Sequence, residues 1–346
     1  MTNRRLNRHN GARMSKMTNS PRRRHRAPVA ILFGLLFVPR PTPAETLGEV
    51  AERYLAAIEA QDWQQMEALL DPDARYQDFS MEHFGGPAID LRGPEAIVGF
   101  WRNSSADAGT LSIDFDFPDR FAAGPNLILR GYSEVEARGE AWQLPLEVIT
   151  ARFPQITHLR ISEGRITYHA DHVDYGAAEQ QIAAQVEVRN QRHGTAVEFP
   201  LTPVDTGLLE TAEAYLKALH ANDWRRLASW LGPDSMYLNY TAEYRTGSVE
   251  RAQGGEAMLK LFRDARASSG TLHLAFDRKQ AWVAGPNVFL YGTYMIEMSG
   301  QAWGLGEGTA SFEVPMVVHL RFVDDTLTHH VEYIDYVTGF GPLGAP

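Results

Sequence analysis

Apolar positions along the chain change their period once, from helical to strand-like, and the whole sequence of changes then occurs again. Leu47, Val50, Tyr54, Leu55 and Ile58 recur at three- and four-residue steps, one stripe of a helix ending near Gln61-Asp62. Asp62 can cap a second helix through Trp63, Met66, Leu69 and Leu70, which Pro72 ends. A third is expected after Gly93, where Pro94 and Glu95 suit a first turn. From Leu111 onward, β-branched and aromatic runs are broken by Gly124-Pro125-Asn126, Gly139 and Glu163-Gly164, which read as hairpin turns. Three helices followed by a meander of long strands predicts an α+β layout, with helices segregated on one face of an antiparallel sheet.

AERYLAAIEAQDW from Ala51 returns as AEAYLKALHANDW from Ala212, and Gly124-Pro125-Asn126 as Gly285-Pro286-Asn287. His158-Leu159-Arg160 returns as His319-Leu320-Arg321, and Asp174-Tyr175 as Asp335-Tyr336, always 161 residues on. Two copies at so long a period mean duplicated domains rather than a solenoid. The expected organisation is a leader (1–44), a first domain (45–176), a linker (177–206), a second domain (207–338) and a short tail (339–346). The linker opens with AAEQQIAAQVEVRNQR, which favours helix, and is broken by Pro200 and Pro203.

Charge separates the leader from the rest. Residues 1–44 carry ten Lys/Arg and no acid, then the run VAILFGLLFV from Val29 to Val38, too short to span a bilayer. Thr42 and Ala44 supply small residues before Glu45, so the segment reads as a secretory signal cut near Ala44, leaving a periplasmic or secreted protein. A single membrane anchor and a basic tail are the other readings. The whole chain of 346 residues has a net charge of −10, but the 302 residues after the leader hold 23 basic and 43 acidic side chains, a net of −20. That field disfavours nucleic acid and anionic membrane as partners. With no cysteine there is no disulfide scaffold, thiolate metal site or cysteine nucleophile. No phosphate-binding loop, dinucleotide fingerprint, nucleophile elbow or zinc-protease motif occurs, and no cofactor is expected.

Candidate chemistry gathers at the end of each copy. In TYHADHVDY, His169, Asp171 and Val173 share one strand face, and Tyr168, His172 and Asp174 the other. His330, Glu332 and Ile334 repeat the first set. An imidazole two residues from a carboxylate can form an acid/base pair, or a satisfied polar cluster. His158 and His319, with Arg160 and Arg321, fall on the opposite face and are expected at a junction between the copies. The trios His169-x-Asp171-His172 and His329-His330-x-Glu332 contain metal-ligating types. Strand neighbours diverge, however, so only two of each trio can converge, and no metal is expected. Trp101, Trp142 and Trp303 could wall a pocket or fill core.

The stretches RYLAAIEAQDWQQMEALLDPDARYQDF, GPEAI and THLRISEGRITYHADHVDY resemble the nuclear transport factor 2-like fold, including its SnoaL-like and ketosteroid isomerase branches. The resemblance implies a cone-shaped α+β barrel in each copy, three helices packed on a strongly curved sheet around an apolar pocket. It also implies pairing of the two sheets as an intrachain pseudo-dimer. The isomerase branch's hydrogen-bonding tyrosine falls on Tyr54 and its general-base aspartate on Asp78. Its third polar group falls on Thr157, a departure that removes a carboxylic acid donor. In the second copy the tyrosine persists as Tyr215, while the other two positions become Asn239 and Val318; an amide cannot take up a proton at neutral pH. The implied function is cofactor-free isomerase, dehydratase or cyclase chemistry on a small apolar molecule. Tyr54, Asp78, His169, Asp171, His330 and Glu332 are then the catalytic candidates. Tyr215, Asn239, Trp101, Trp142, Thr157, Val173 and Trp303 are the ligand-binding ones. The alternative is a non-catalytic periplasmic binding or assembly module.

Overall fold

Thr46 opens the first helix with a capping box, its side chain accepting from the Glu49 amide while the Glu49 carboxylate accepts from the Thr46 amide. In the computed structural model, which describes residues 46–194, 197–303 and 305–340, this helix is α1 (Leu47–Glu59). It is followed by α2 (Trp63–Leu69), β1 (Leu70–Asp78), a 3-10 turn (Phe79–Phe84), β2 (Ile89–Arg92) and α3 (Pro94–Asp107). Next come β3 (Thr110–Ala123), β4 (Asn126–Arg138), a second 3-10 turn (Gly139–Trp142), β5 (Val148–Ser162), β6 (Arg165–Val173) and α4 (Tyr175–His193). The second repeat runs α5 (Thr206–His220), α6 (Trp224–Ala228), β7 (Leu231–Asn239), α7 (Glu243–Thr246), β8 (Glu250–Gln253) and α8 (Gly255–Ser269). It ends with β9 (Thr271–Ala284), β10 (Asn287–Ser299), a 3-10 turn (Gly300–Trp303), β11 (Thr309–Val323), β12 (Thr326–Ile334) and α9 (Tyr336–Phe340). The expected leader, residues 1–44, and positions 341–346 of the expected tail lie outside the described residues. No described helix is long and apolar enough to cross a membrane.

Each repeat is one six-stranded α+β sheet, ordered β2-β1-β6-β5-β4-β3 and β8-β7-β12-β11-β10-β9. Two expectations need correction. The sheets are mixed, because β1 runs parallel to β6 and β7 to β12, where an antiparallel meander was expected. They are also open, β2 and β3 being opposite edges, so the cones are not closed barrels. The helix expected through Leu70 stops at Leu69, and β1 then carries Asp78 at its far end.

The apolar stripe of α1 packs on this sheet: Val50, Tyr54 and Ile58 share a core with Ile97 of α3, Leu129 of β4, Leu159 of β5 and Ile166 of β6. Residues expected to begin the linker form α4, which has its own core against the first repeat: Ala178, Ile182 and Val186 meet Ile149 and Ala151 of β5. The two repeats form one compact unit. Their sheets meet through Ile128, Ile156, Trp282, Phe289, Val317 and Tyr333. This is the pseudo-dimer that the resemblance implies.

Candidate functional site

Parallel pairing of β1 with β6 sets Tyr76 beside His169 and Asp78 beside Asp171, all buried. Tyr54 reaches the same place from α1: its hydroxyl lies 3.1 Å from His169 Nδ1. His169 Nε2 is 3.1 Å from Asp171 Oδ2, within ion-pair range but off the line a hydrogen bond needs. Tyr76 donates to Asp171 Oδ2 at 3.1 Å, and Thr157 and Gln155 donate to Oδ1 at 2.6 and 2.7 Å. Burial by itself would raise the Asp171 carboxyl; the His169 ring and the Thr157 and Gln155 donors outweigh it and hold the carboxyl below its ordinary value.

Asp78 has the opposite balance. Its Oδ1 accepts from the Ser80 amide at 2.7 Å and its Oδ2 from the Tyr175 hydroxyl at 2.8 Å. Burial, followed by the nearby Asp171 charge, nevertheless pushes it up to about 7. Tyr175 is the first residue of α4, so the helix after the sheet closes over the carboxyl.

The second repeat rebuilds the same relay with other parts. Tyr215 Oη is 3.0 Å from His330 Nδ1, and His330 Nε2 is 3.1 Å from Glu332 Oε1. Tyr237 donates to Glu332 Oε2 at 2.8 Å and Tyr294 to Oε1 at 3.3 Å. Burial would raise Glu332; His330 and the two tyrosines hold it below its ordinary value. When the His330 ring is neutral, its Nε2–H donates to the Glu332 carboxylate and its Nδ1 accepts from the Tyr215 hydroxyl. Where the first repeat uses Thr157 and Gln155, the second has Val318 and Met316, and the longer Glu332 reaches Tyr294 instead.

The surroundings of the two relays differ. In the first repeat Trp101 lies against the His169 ring, centroids 6.2 Å apart and planes 8° off parallel. In the second, Phe262 stands at that position, tilted 49° to His330. A cavity of about 220 Å³ opens there, lined by Trp224, Phe262, Tyr294, Met298, Glu332 and Tyr336 among others. Asn239 and Ile334 also line it. A larger groove of about 460 Å³ lies outside, between α5 and β9, and touches no member of the relay.

The expected site residues therefore divide. Tyr54, Thr157, His169 and Asp171 converge in one repeat, and Tyr215, His330 and Glu332 in the other. Asp78 bonds to Tyr175 and Ser80 rather than to the relay, and Val173 is buried, its amide donating to Ser80 Oγ at 2.7 Å. Trp142 is 37 % exposed, and its indole N–H donates to Ala108 O at the end of α3. Trp303 closes the corresponding 3-10 turn, and its side chain lies outside the described residues. Tyr76, Tyr175, Gln155 and their partners Tyr237, Tyr336 and Tyr294 were not anticipated. Recurrence of Tyr76/Tyr237 and Tyr175/Tyr336 at the 161-residue offset is the signal that could have found four of them. Among the described residues no three His, Asp or Glu side chains come together as a metal site.

Residues 51–169 match the family described as SnoaL-like domain. The first repeat is thus a SnoaL-like domain, and the second repeats its strand order. Similar solved structures include a candidate SnoaL-like polyketide cyclase from Shewanella putrefaciens CN-32: 25% identity, 39% of this chain and 93% of that one, TM-score 0.34. Another is IdmH, a candidate polyketide cyclase from Streptomyces antibioticus: 15% identity, 40% and 98% coverage, TM-score 0.34. A third is a protein of ketosteroid isomerase-like fold from Catenulispora acidiphila DSM 44928, in complex with trimethylamine: 18% identity, 40% and 94% coverage, TM-score 0.33. No curated protein matches the chain.

Proposed function

We propose that the protein holds a small, largely apolar molecule in the cavity of its second repeat. The observation that carries this is the cavity itself, aromatic and aliphatic in its walls, with Glu332 saturated by three donors at its floor. A carboxylate so bonded is a weak base, and Asn239 takes up no proton, so this repeat binds without transferring protons. A second reading rests on Asp78: a carboxyl raised to about 7 is tuned for proton transfer at neutral pH. On that reading the first repeat enolises a carbonyl compound once Tyr175 moves off Asp78.

Two experiments test these readings. The apolar probe tetralin binds the wild-type chain, and Ala265→Trp, at an exposed position on the cavity wall, abolishes binding while leaving the fold intact. Binding unaffected by Ala265→Trp sinks the cavity reading. With 1-tetralone in D₂O, deuterium entry at the carbon beside the carbonyl is followed by NMR. The second reading stands if Asp78→Asn abolishes catalysed exchange and falls if exchange is unchanged.

A further inference from the structure

The exchange of Asp78 for Asn239 reverses a hydrogen bond. In the first repeat the Tyr175 hydroxyl gives its proton to Asp78 Oδ2. In the second, the Ala242 backbone amide donates to Asn239 Oδ1 at 2.9 Å, and Thr241 Oγ1 lies 2.9 Å from the same atom. A backbone amide can only donate, so that atom is the carbonyl oxygen, and the other end of Asn239 is the amino group. Asn239 Nδ2 is 2.9 Å from Tyr336 Oη and must be the donor there. The Tyr336 oxygen is therefore an acceptor from Asn239, and its own proton is left over. Among the described residues Tyr336 makes no other hydrogen bond; it is 8 % exposed and lines the cavity. Burial holds its phenol above the usual tyrosine range, so the proton stays on the oxygen. A hydroxyl on the cavity wall whose proton no described residue accepts is free to donate to a bound molecule.

We propose that Tyr336 is the hydrogen-bond donor that recognises the ligand of the second repeat, and that this ligand is a small apolar molecule bearing a neutral carbonyl oxygen. Two carboxylates, Glu332 and Glu250, line the cavity against one cation, Arg266, whose Nη2 lies 3.4 Å from the His220 carbonyl oxygen and whose Nε and Nη1 have no partner among the described residues, so the balance of charge favours a neutral carbonyl over an anion. Tyr175 cannot take the same role, since its proton is held by Asp78. The inference rests on the cavity reading above and adds the chemistry of the ligand to it.

The test uses the full chain at pH 8, with 1-tetralone and its carbonyl-free counterpart tetralin titrated by calorimetry. Tyr336→Phe weakens 1-tetralone about fivefold and leaves tetralin unchanged, the size of one neutral hydrogen bond. Asn239→Asp keeps Tyr336 but supplies the carboxylate that captures its proton, as Asp78 does, and produces the same selective loss. Tetralin bound by wild type with both ketone affinities unmoved overturns the role of Tyr336 and leaves the cavity reading standing. Failure of both probes to bind overturns the cavity reading and the inference with it.

Discussion

Asp78 and Asn239 occupy the same place in the two repeats and differ in one ionisable group, which gives only the first repeat a response to pH there. The Asp78 carboxyl is about 7 when folded against 3.8 for the ordinary group. Between those values the native chain holds a proton that the unfolded chain has released, so stability falls as pH rises from about 4 to 7 and is flat above. Three units correspond to about 4 kcal/mol. Asp78→Asn removes that loss, and Asn239 shows that the surrounding backbone accepts an amide there, with Oδ1 taking the backbone amide and Nδ2 giving to the tyrosine. Denaturant unfolding of Asp78→Asn is expected to match wild type near pH 4 and exceed it at pH 8 by a few kcal/mol. Equal stabilities at pH 8 would show that the native carboxyl ionises at its ordinary value.

At the scale of elements, the relay depended on a pairing that sequence periodicity cannot see. His169 and Asp171 were legible because they sit two apart on one strand, and Tyr54 because the helical stripe orients it. Tyr76 comes from a strand 95 residues away in sequence from Asp171, and parallel pairing leaves no hairpin signal between them. Pro72 also made the start of β1 read as a helix end. Helix α4 was legible as helix from its composition, but its seat was not. Beyond the reach of β6, the outer edge of β5 is covered by two glutamines of α4, one turn apart. Gln181 pairs with the Arg152 amide and carbonyl at 3.0 and 2.7 Å, and Gln185 with those of Thr150 at 3.1 and 2.6 Å. Each carboxamide stands in for a neighbouring strand's peptide and blunts an open edge. Replacing both by alanine is expected to cost about 2 kcal/mol and to speed hydrogen exchange at the Thr150 and Arg152 amides selectively. Unchanged exchange there would mean that helix packing alone protects the edge.

At the scale of the whole molecule, the 161-residue offset becomes a pseudo-twofold axis with reciprocal contacts. Arg160 pairs with Glu243 at 2.8 Å and Arg321 with Glu82 at 2.7 Å, and Glu82 and Glu243 are themselves 161 residues apart. The repeated Gly-Pro-Asn turns belong to this junction. Asn126 donates to Tyr240 O and Asn287 to Phe79 O, while Gly285, at φ +56°, lies so close to the Glu82 carbonyl that a Cβ would sit 2.5 Å from it. Between the sheets are histidines that burial keeps neutral. His158 and His319 are held well below their ordinary value, first by burial and then by His172. His172, 3.3 Å from Tyr333 Oη, and His329 are lowered to about 4, burial again coming first. Below pH 6.5 the unfolded chain takes up protons at these four sites that the native chain refuses, so stability is present above 6.5 and is lost as pH falls toward 4. For His172 and His329 the loss amounts to roughly 3 kcal/mol apiece. Asp78 acts in the opposite direction over the same window, so Asp78→Asn is the background in which the effect is clearest. There, unfolding free energy is expected to fall steeply from pH 6.5 to 4. Adding His172→Phe is expected to lessen the slope by about one proton, 1.4 kcal/mol per pH unit. Its counterpart across the axis is the aromatic Tyr333, so the ring has room. A slope that His172→Phe leaves untouched would place the acid-sensitive protons elsewhere than in the junction.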